Sequence, residues 1–260
     1  MNTISIDTSG GLGNVLFQIA AAYSVSKRDN MKLLIDPTNH HGARYGIPKY
    51  TSNILRNINF STTRLNFTGY GEQGHHFTEI PKFNYDTKLI GYFQTEKYFI
   101  NYRTEILELF SPTSDIIVKL NEKYSDILEK NTTSLHVRRG DFIGISNFHP
   151  LLPIEYYQEC LKLVDNNSTI LIFSDDINWC KSNFDFIENK IFISNLEDFE
   201  ELYLMSMCNN NVIANSTFSW WGAWLNKNLN KQVISPKVWF GPALQHLQTK
   251  DIYCKDWIKL

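Results

Sequence analysis

An α/β protein with a parallel sheet in each half is the fold class this sequence predicts, on three observations. From Thr132 onward, short apolar β-branched runs alternate with longer amphipathic segments. Residues 3–36 open with the same strand, glycine turn, helix and strand order. Four polar turns, Ser9–Asn14, His136–Asp141, Ser174–Asp176 and Asn215–Ser219, fall at expected strand ends. Continuous apolar strands separated by helices of about 10 residues are the signature of a parallel sheet covered on both faces.

In order along the chain, TISID is a strand, SGGLGN a turn, Val15–Lys27 a helix and MKLLID a second strand. After Pro37 the pattern dissolves into a polar stretch holding Gly42, Gly46, Pro48, Gly69, Gly71 and Gly74. Helical patterning returns over Glu96–Phe110 and Ser114–Glu129. The polar segment Leu128–Thr133 is the expected linker, dividing the chain into lobes at 1–130 and 131–260. Beyond it, strands TTSLHVR, TILIFS, KIFIS, NVIAN and KQVIS alternate with helices Pro153–Val164, Ile177–Phe186, Leu196–Met207 and Thr217–Leu225. The C-terminal lobe therefore reads as a doubly wound parallel sheet of right-handed βαβ units.

Composition narrows the function. The 260 residues carry 25 basic and 27 acidic side chains, a formal charge of −2, so bulk electrostatics give no reason to bind nucleic acid or an anionic membrane. The longest mostly apolar stretch, Val15 to Val25, is interrupted by Gln18 and falls short of the ~20 residues of a membrane span. Four scattered cysteines lack metal spacing and read as free thiols of a reducing compartment. His40–His41 and His75–His76 are adjacent pairs in loops, and D-x-D is absent, so no metal centre is expected.

The four turns carry the chemistry. GGLGN partly matches a dinucleotide fingerprint, with Asp36 at the distance of a ribose-binding acid, but Leu16 occupies the third glycine position. Gly11 and Gly13, with Asn14 as an added donor, suit a phosphate or a sugar equally, or a tight turn without ligand. In HVRRGD, strand alternation sends His136 and Arg138 to one face and Arg139 to the other. Two arginines at a buried strand end each need an anion, whether a diphosphate or a structural carboxylate. In FSDD, Ser174, Asp175 and Asp176 could bind a metal, a guanine edge or a ribose, or cap the next helix. Asn215, Ser216, Thr217 and Phe218 open a helix whose free N–H groups make an anion seat. The indoles of Trp220, Trp221 and Trp224 behind it read as core, with a sugar platform as the alternative.

With these segments in view, the chain resembles the α-1,2-fucosyltransferases of glycosyltransferase family 11. The matching stretches are GGLGNVLFQIAAA, GYFQTEKYF, HVRRGDF, ILIFSDDINWC and DFEELYLMSMCNNNVIANSTFSWWGAWLN, in the family's order. The resemblance implies a two-lobed, GT-B-like fold that binds GDP-fucose without a metal. It implies inverting transfer of L-fucose to the 2-hydroxyl of a galactose-containing acceptor. By motif, Arg138 would hold the β-phosphate, His136 would lie along the nucleotide, and Ser174–Asp176 would meet the guanosine. Asn215, Ser216, Thr217 and Phe218 would meet the pyrophosphate, with Gly11, Gly13 and Asn14 facing it from the N-terminal lobe, which would also hold the acceptor. Asp141 is the first choice of general base, then Glu96 and His149; the alternative for Asp141 is to brace Arg139. Animal relatives carry a membrane anchor absent from this sequence, so a cytoplasmic enzyme is expected. A sugar-nucleotide-binding protein without turnover and an NAD-dependent oxidoreductase are the rival readings.

Overall fold

The computed structural model describes residues 1–38, 40–41 and 46–260; Gly42 of the polar stretch lies outside them. The chain forms two compact units, Met1–Thr113 with Leu247–Cys254, and Ser114–His246 with Lys255–Leu260.

In the first unit, β1 (Thr3–Ser9) runs into α1 (Leu12–Arg28), followed by β2 (Lys32–Leu33), β3 (His40–His41), β4 (Thr68–Gly71), β5 (Thr87–Ile90) and α2 (Arg103–Leu109). The sheet order is β2-β1-β5-β4, with β3 pairing the end of β1, and every pairing is parallel. Helix α1 is buried on nearly every face and ends on Lys27 and Arg28, which suit the negative pole of the helix. Gln18, the polar break in its apolar run, is fully buried. Its side chain accepts from Ser9 N (3.0 Å) and donates to Gly91 O (3.0 Å), tying the carboxyl ends of β1 and β5.

Two expectations change here. The helix over Glu96–Phe110 is α-helical only as α2; before it stand two short 3₁₀ turns separated by Phe99, whose φ of −141° interrupts the spiral. The pair His40–His41 forms a strand rather than a loop, and His40 Nδ1 lies 2.9 Å from Thr8 Oγ1.

In the second unit come α3 (Ser114–Leu128), β6 (Thr132–Val137), α4 (Ile154–Leu161), β7 (Thr169–Ser174), α5 (Ile177–Asn183), β8 (Lys190–Phe192), α6 (Asp198–Met207), β9 (Asn210–Val212), α7 (Thr217–Leu225), β10 (Val233–Ser235) and β11 (Ile258–Lys259). Its six strands are all parallel, in the order β11-β10-β9-β6-β7-β8. Leu135, Val137, Tyr157, Cys160, Ile172 and Phe184 build one core on this sheet. Glu197 and Glu200 close a reciprocal capping box on α6, so acids early in that segment do more than meet the helix dipole. Trp220, Trp221 and Trp224 are buried against one another, which assigns them to the core and leaves no sugar platform.

The division between units also differs from the expected one at residue 130. Helix α3 belongs to the second unit, held to α6 by Lys119 Nζ on Glu200 Oε1 at 2.6 Å. The expected linker is consequently internal to that unit: Thr132 and Thr133 are buried, and Asn209 Oδ1 accepts from Thr132 N (2.8 Å). Polarity there serves hydrogen bonding within the fold, not solvation. Among the described residues, no helix is long and apolar enough to cross a membrane.

Candidate active site

Strand order locates the ligand crevice of a doubly wound sheet. From β6 the second unit winds outward through β7 and β8, then returns to the other side of β6 with β9 and continues through β10 to β11. The switch lies between β6 and β9, and open parallel sheets bind ligands outside the carboxyl ends of the strands at such a point. The turn leaving β6 is RRGD, and the turn leaving β9 is ANST. The turn leaving β7, next in the sheet, is SDD. Three of the four turns singled out in the sequence therefore share one edge of one sheet.

Arg138 and Arg139 diverge as strand alternation demands. The Arg138 guanidinium is held by two carboxylates, Nη2 on Asp141 Oδ1 at 2.8 Å and Nη1 on Asp175 Oδ2 at 3.1 Å. Its Cζ also lies 5.4 Å from the centre of the Phe142 ring. Arg139 stacks on Trp179 at 3.8 Å and pairs with Asp176 at 3.5 Å. Asp141 therefore braces Arg138, whereas the alternative to its role as general base was to brace Arg139. The local chain path explains it, since only Arg139 and Gly140 separate Arg138 from Asp141, the first residue of a short 3₁₀ turn.

Asp175 organises this corner. Its Oδ1 accepts from Arg139 N (2.9 Å) while its Oδ2 meets Arg138. Gly140 is required beside it, because a Cβ there would stand 2.5 Å from Asp175 Oδ2. Asp176 is the N-cap of α5, accepting from Trp179 N at 3.2 Å, and Ser174 Oγ accepts from Asp176 N at 2.9 Å. Of the two candidate caps, Asp176 has that role and Asp175 is left facing the arginine.

On the other side of the switch, Ser216 caps α7, its Oγ accepting from Phe218 N at 3.3 Å, with Thr217 the first helical residue. Asn215 is 2% exposed and donates Nδ2 to Pro150 O (3.0 Å) and Trp239 O (3.2 Å). It ties two loops to the end of β9, while its buried Oδ1 has no hydrogen-bond partner. His136 is likewise buried, with Nδ1 unpartnered and its ring 5.6 Å from that of Phe218. Burial, reinforced by the Arg138 charge, holds its pKa down to about 3, so the ring is neutral.

His149 joins the group through packing that the sequence did not reveal. Its ring stacks on Phe142 at 4.9 Å and meets Phe240 at 5.6 Å, behind Arg138. Burial lowers its pKa, partly opposed by Asp141. Glu96, the other alternative base, sits in the first unit at the start of a 3₁₀ turn.

In the first unit, Gly11 is the extended N-cap of α1 and Gly13 is buried in its first turn. Gly10 has φ +75°, and a Cβ there would collide with the Asn14 carboxamide. The residue expected to bind ribose in a dinucleotide site is occupied otherwise. Asp36 is 2% exposed and accepts from Thr38 N, Thr38 Oγ1 and Leu65 N at 2.6–2.9 Å, which holds its carboxyl below the usual range against the effect of burial. Among the described residues, no three His, Cys, Asp or Glu side chains cluster as a metal site.

The chain has relatives among known proteins. The profile of glycosyl transferase family 11 matches residues 47–260. The chain is 31% identical to the O-antigen biosynthesis glycosyltransferase WbnK of Escherichia coli, over 97% of this chain and 98% of that protein. It is 30% identical to an α-1,2-colitosyltransferase of Escherichia coli, over 100% and 99% of the two chains. Among solved structures it shares its fold with the fucosyltransferase NodZ from Bradyrhizobium, at a TM-score of 0.59 and 12% identity over 85% of this chain and 93% of that one. A form of NodZ soaked with GDP-fucose gives a TM-score of 0.58. The two parallel sheets are thus the two Rossmann-like lobes of a GT-B-like glycosyltransferase, and the chain belongs to glycosyl transferase family 11.

Proposed function

We propose that this glycosyltransferase moves L-fucose from GDP-β-L-fucose to the 2-hydroxyl of a galactose-containing glycan, with inversion and without a metal ion. The observation that carries the reading is the position of Arg138, at the β6/β9 switch point beside the N-terminus of α7. When the bond from the fucose anomeric carbon to the diphosphate breaks, negative charge gathers on GDP. A permanently charged guanidinium and the N–H groups of α7 then offset that charge. The Asp141 and Asp175 carboxylates hold the guanidinium in place beforehand, and the diphosphate takes over its Nη groups on binding.

Around that centre, neutral His136 and Phe218 line the nucleotide, and Ser174, Asp175 and Asp176 meet the guanosine. Asn215 shapes the loops around Ser216 and Thr217, which take the pyrophosphate. Asp141 accepts the proton of the acceptor hydroxyl as its oxygen bonds to the anomeric carbon. Its side chain is 61% exposed, so the acceptor can reach it once the diphosphate has taken its place on Arg138.

The identity to a colitosyltransferase over the full length of both chains supports a second reading, in which the sugar moved is colitose. One experiment separates these and the binding-only alternative. The purified protein is incubated with GDP-fucose or the corresponding colitosyl nucleotide and a panel of β-galactosides, and GDP release is followed with and without EDTA. Fucosyl transfer unaffected by EDTA supports the reading; transfer from the colitosyl donor alone replaces it, and GDP binding without release from either donor leaves a binding protein. Calorimetry with GDP, UDP and NADH should give heat with GDP alone.

A further inference from the structure

Past Arg138 the chain of the second unit coils on itself. Asp141–Ile145 form a 3₁₀ turn, and Ile145 O then accepts from Phe148 N (2.8 Å) and His149 N (3.0 Å). Phe142, which is buried, and His149 are seven positions apart and stack at 4.9 Å, so residues at this spacing share a side of the coil. Asp141 and Phe148 have the same spacing and form the adjacent side. That side meets solvent with apolar groups. Phe148 is 47% exposed, Ile143 and Ile145 are exposed as well, and Ser146 and Asn147 add a polar rim. Isolated exposed apolar side chains are ordinary, but a group of them with a polar rim marks a binding surface.

The coil is braced from behind. Gly241 N donates to Phe148 O (2.8 Å) and Ala243 N to Asn147 O (3.0 Å). A Cβ on Gly241 would collide with the Asn147 carbonyl, so this approach requires glycine. On the inner side the Phe142, His149 and Phe240 rings pack together. An apolar surface already held in place costs little ordering entropy when a ligand covers it. What covers it follows from Asp141. A molecule that gives up a hydroxyl proton to that carboxylate lies alongside the patch, and on the proposed reading that molecule is the acceptor glycan. A pyranose ring has a face made of C–H groups, which packs on the electron-rich face of an aromatic ring.

We infer that the coil from Asp141 to Phe148 is an acceptor subsite, with the Phe148 ring as platform for the C–H face of an acceptor sugar. The inference rests on the reading that Asp141 meets the acceptor hydroxyl in fucosyl transfer. The test compares the full chain with Phe148→Ala and Phe148→Tyr, using GDP-fucose and the β-galactoside of the panel that reacts fastest. Acceptor KM, donor KM, Tm and oligomeric state are measured, and saturation-transfer NMR of the β-galactoside is recorded with GDP present. Phe148→Ala is expected to raise acceptor KM about 5-fold, with donor KM and Tm retained, and to weaken saturation of the sugar C–H protons. Phe148→Tyr keeps the ring and should restore both. An unchanged acceptor KM and NMR signal in Phe148→Ala overturn the inference, as does an equal rise in donor KM. If Phe148→Ala instead dissociates an oligomer and keeps acceptor KM, the patch belongs to a second copy of this chain. A parent that transfers fucose to no β-galactoside removes the proposed function and the inference with it, whereas parent-like transfer by Phe148→Ala removes the inference alone.

Discussion

The two switch points, β6/β9 in the second sheet and β1/β5 in the first, solve the same geometric problem with different chemistry. At the carboxyl edge of the second sheet stand Arg138 and Arg139 with Asp141, Asp175 and Asp176. At the corresponding edge of the first sheet, amides join the ends of β1 and β5 through Gln18 and the Asn14–Gln94 pair, and Lys88 on β5 pairs with Asp7 on β1 at 3.0 Å. Arginines and carboxylates are thus gathered at the second edge, where a charged leaving group would form on the proposed reading, while the first edge combines amide contacts with an internal ion pair. A formal charge of −2 fits this economy, since one diphosphate needs local positive potential and not a basic protein.

The comparison breaks first at Arg138. Arg138→Ala should lower kcat by about 100-fold or more with the fold intact, because a preorganised group at a developing charge is lost. If steady-state rates with GDP-fucose stay near those of the parent, the charged edge is not the leaving-group site. Asp141→Asn sharpens the same edge. As a general base its loss should cost about 100-fold in kcat with GDP affinity kept within a few-fold. A large rise in GDP Kd by calorimetry would instead make Asp141 only the holder of Arg138.

A third test is thermodynamic. His136 has a folded pKa of about 3 against an ordinary 6.5, so below pH 6.5 the unfolded chain binds more protons. This contribution is fully present above pH 6.5 and is lost as pH falls from there toward 3. Melting curves of the parent should drop by several degrees across that window, and His136→Gln should flatten the drop. An unchanged slope would place the acid sensitivity elsewhere. The smallest effect belongs to Arg139, which faces Trp179 and Asp176. Arg139→Ala should cost about 1 kcal/mol of stability in denaturant titrations and leave donor KM near the parent's.

Most of the second unit was legible because its signals are local. TILIFS is strand over the same residues that the sequence indicated, and Thr217–Leu225 is helix from its first residue to its last. In the first unit such signals are weak: β2 and β3 are two residues each, and Tyr70 and its neighbours pair as strand without an apolar run. The candidate turns were visible because arginines and paired aspartates at strand ends are costly unless they meet a partner. Their pairings were not visible. Asp141 meeting Arg138, His149 stacking on Phe142, and Gln94 reaching Asn14 across 80 positions depend on which strands are neighbours.

By itself, then, the sequence determined the class of the sheets, the polar turns at their strand ends and the family. Apolar periodicity, helix caps and motif residues act over a few positions, and their energetics can be read along the chain. Only the tertiary structure decided that β9 lies beside β6, which puts RRGD and ANST at one crevice, and that α3 packs on α6 and belongs to the second unit. Strand order is set by packing and hydrogen bonds between residues distant in sequence, and no local pattern encodes which carboxylate a given arginine will meet.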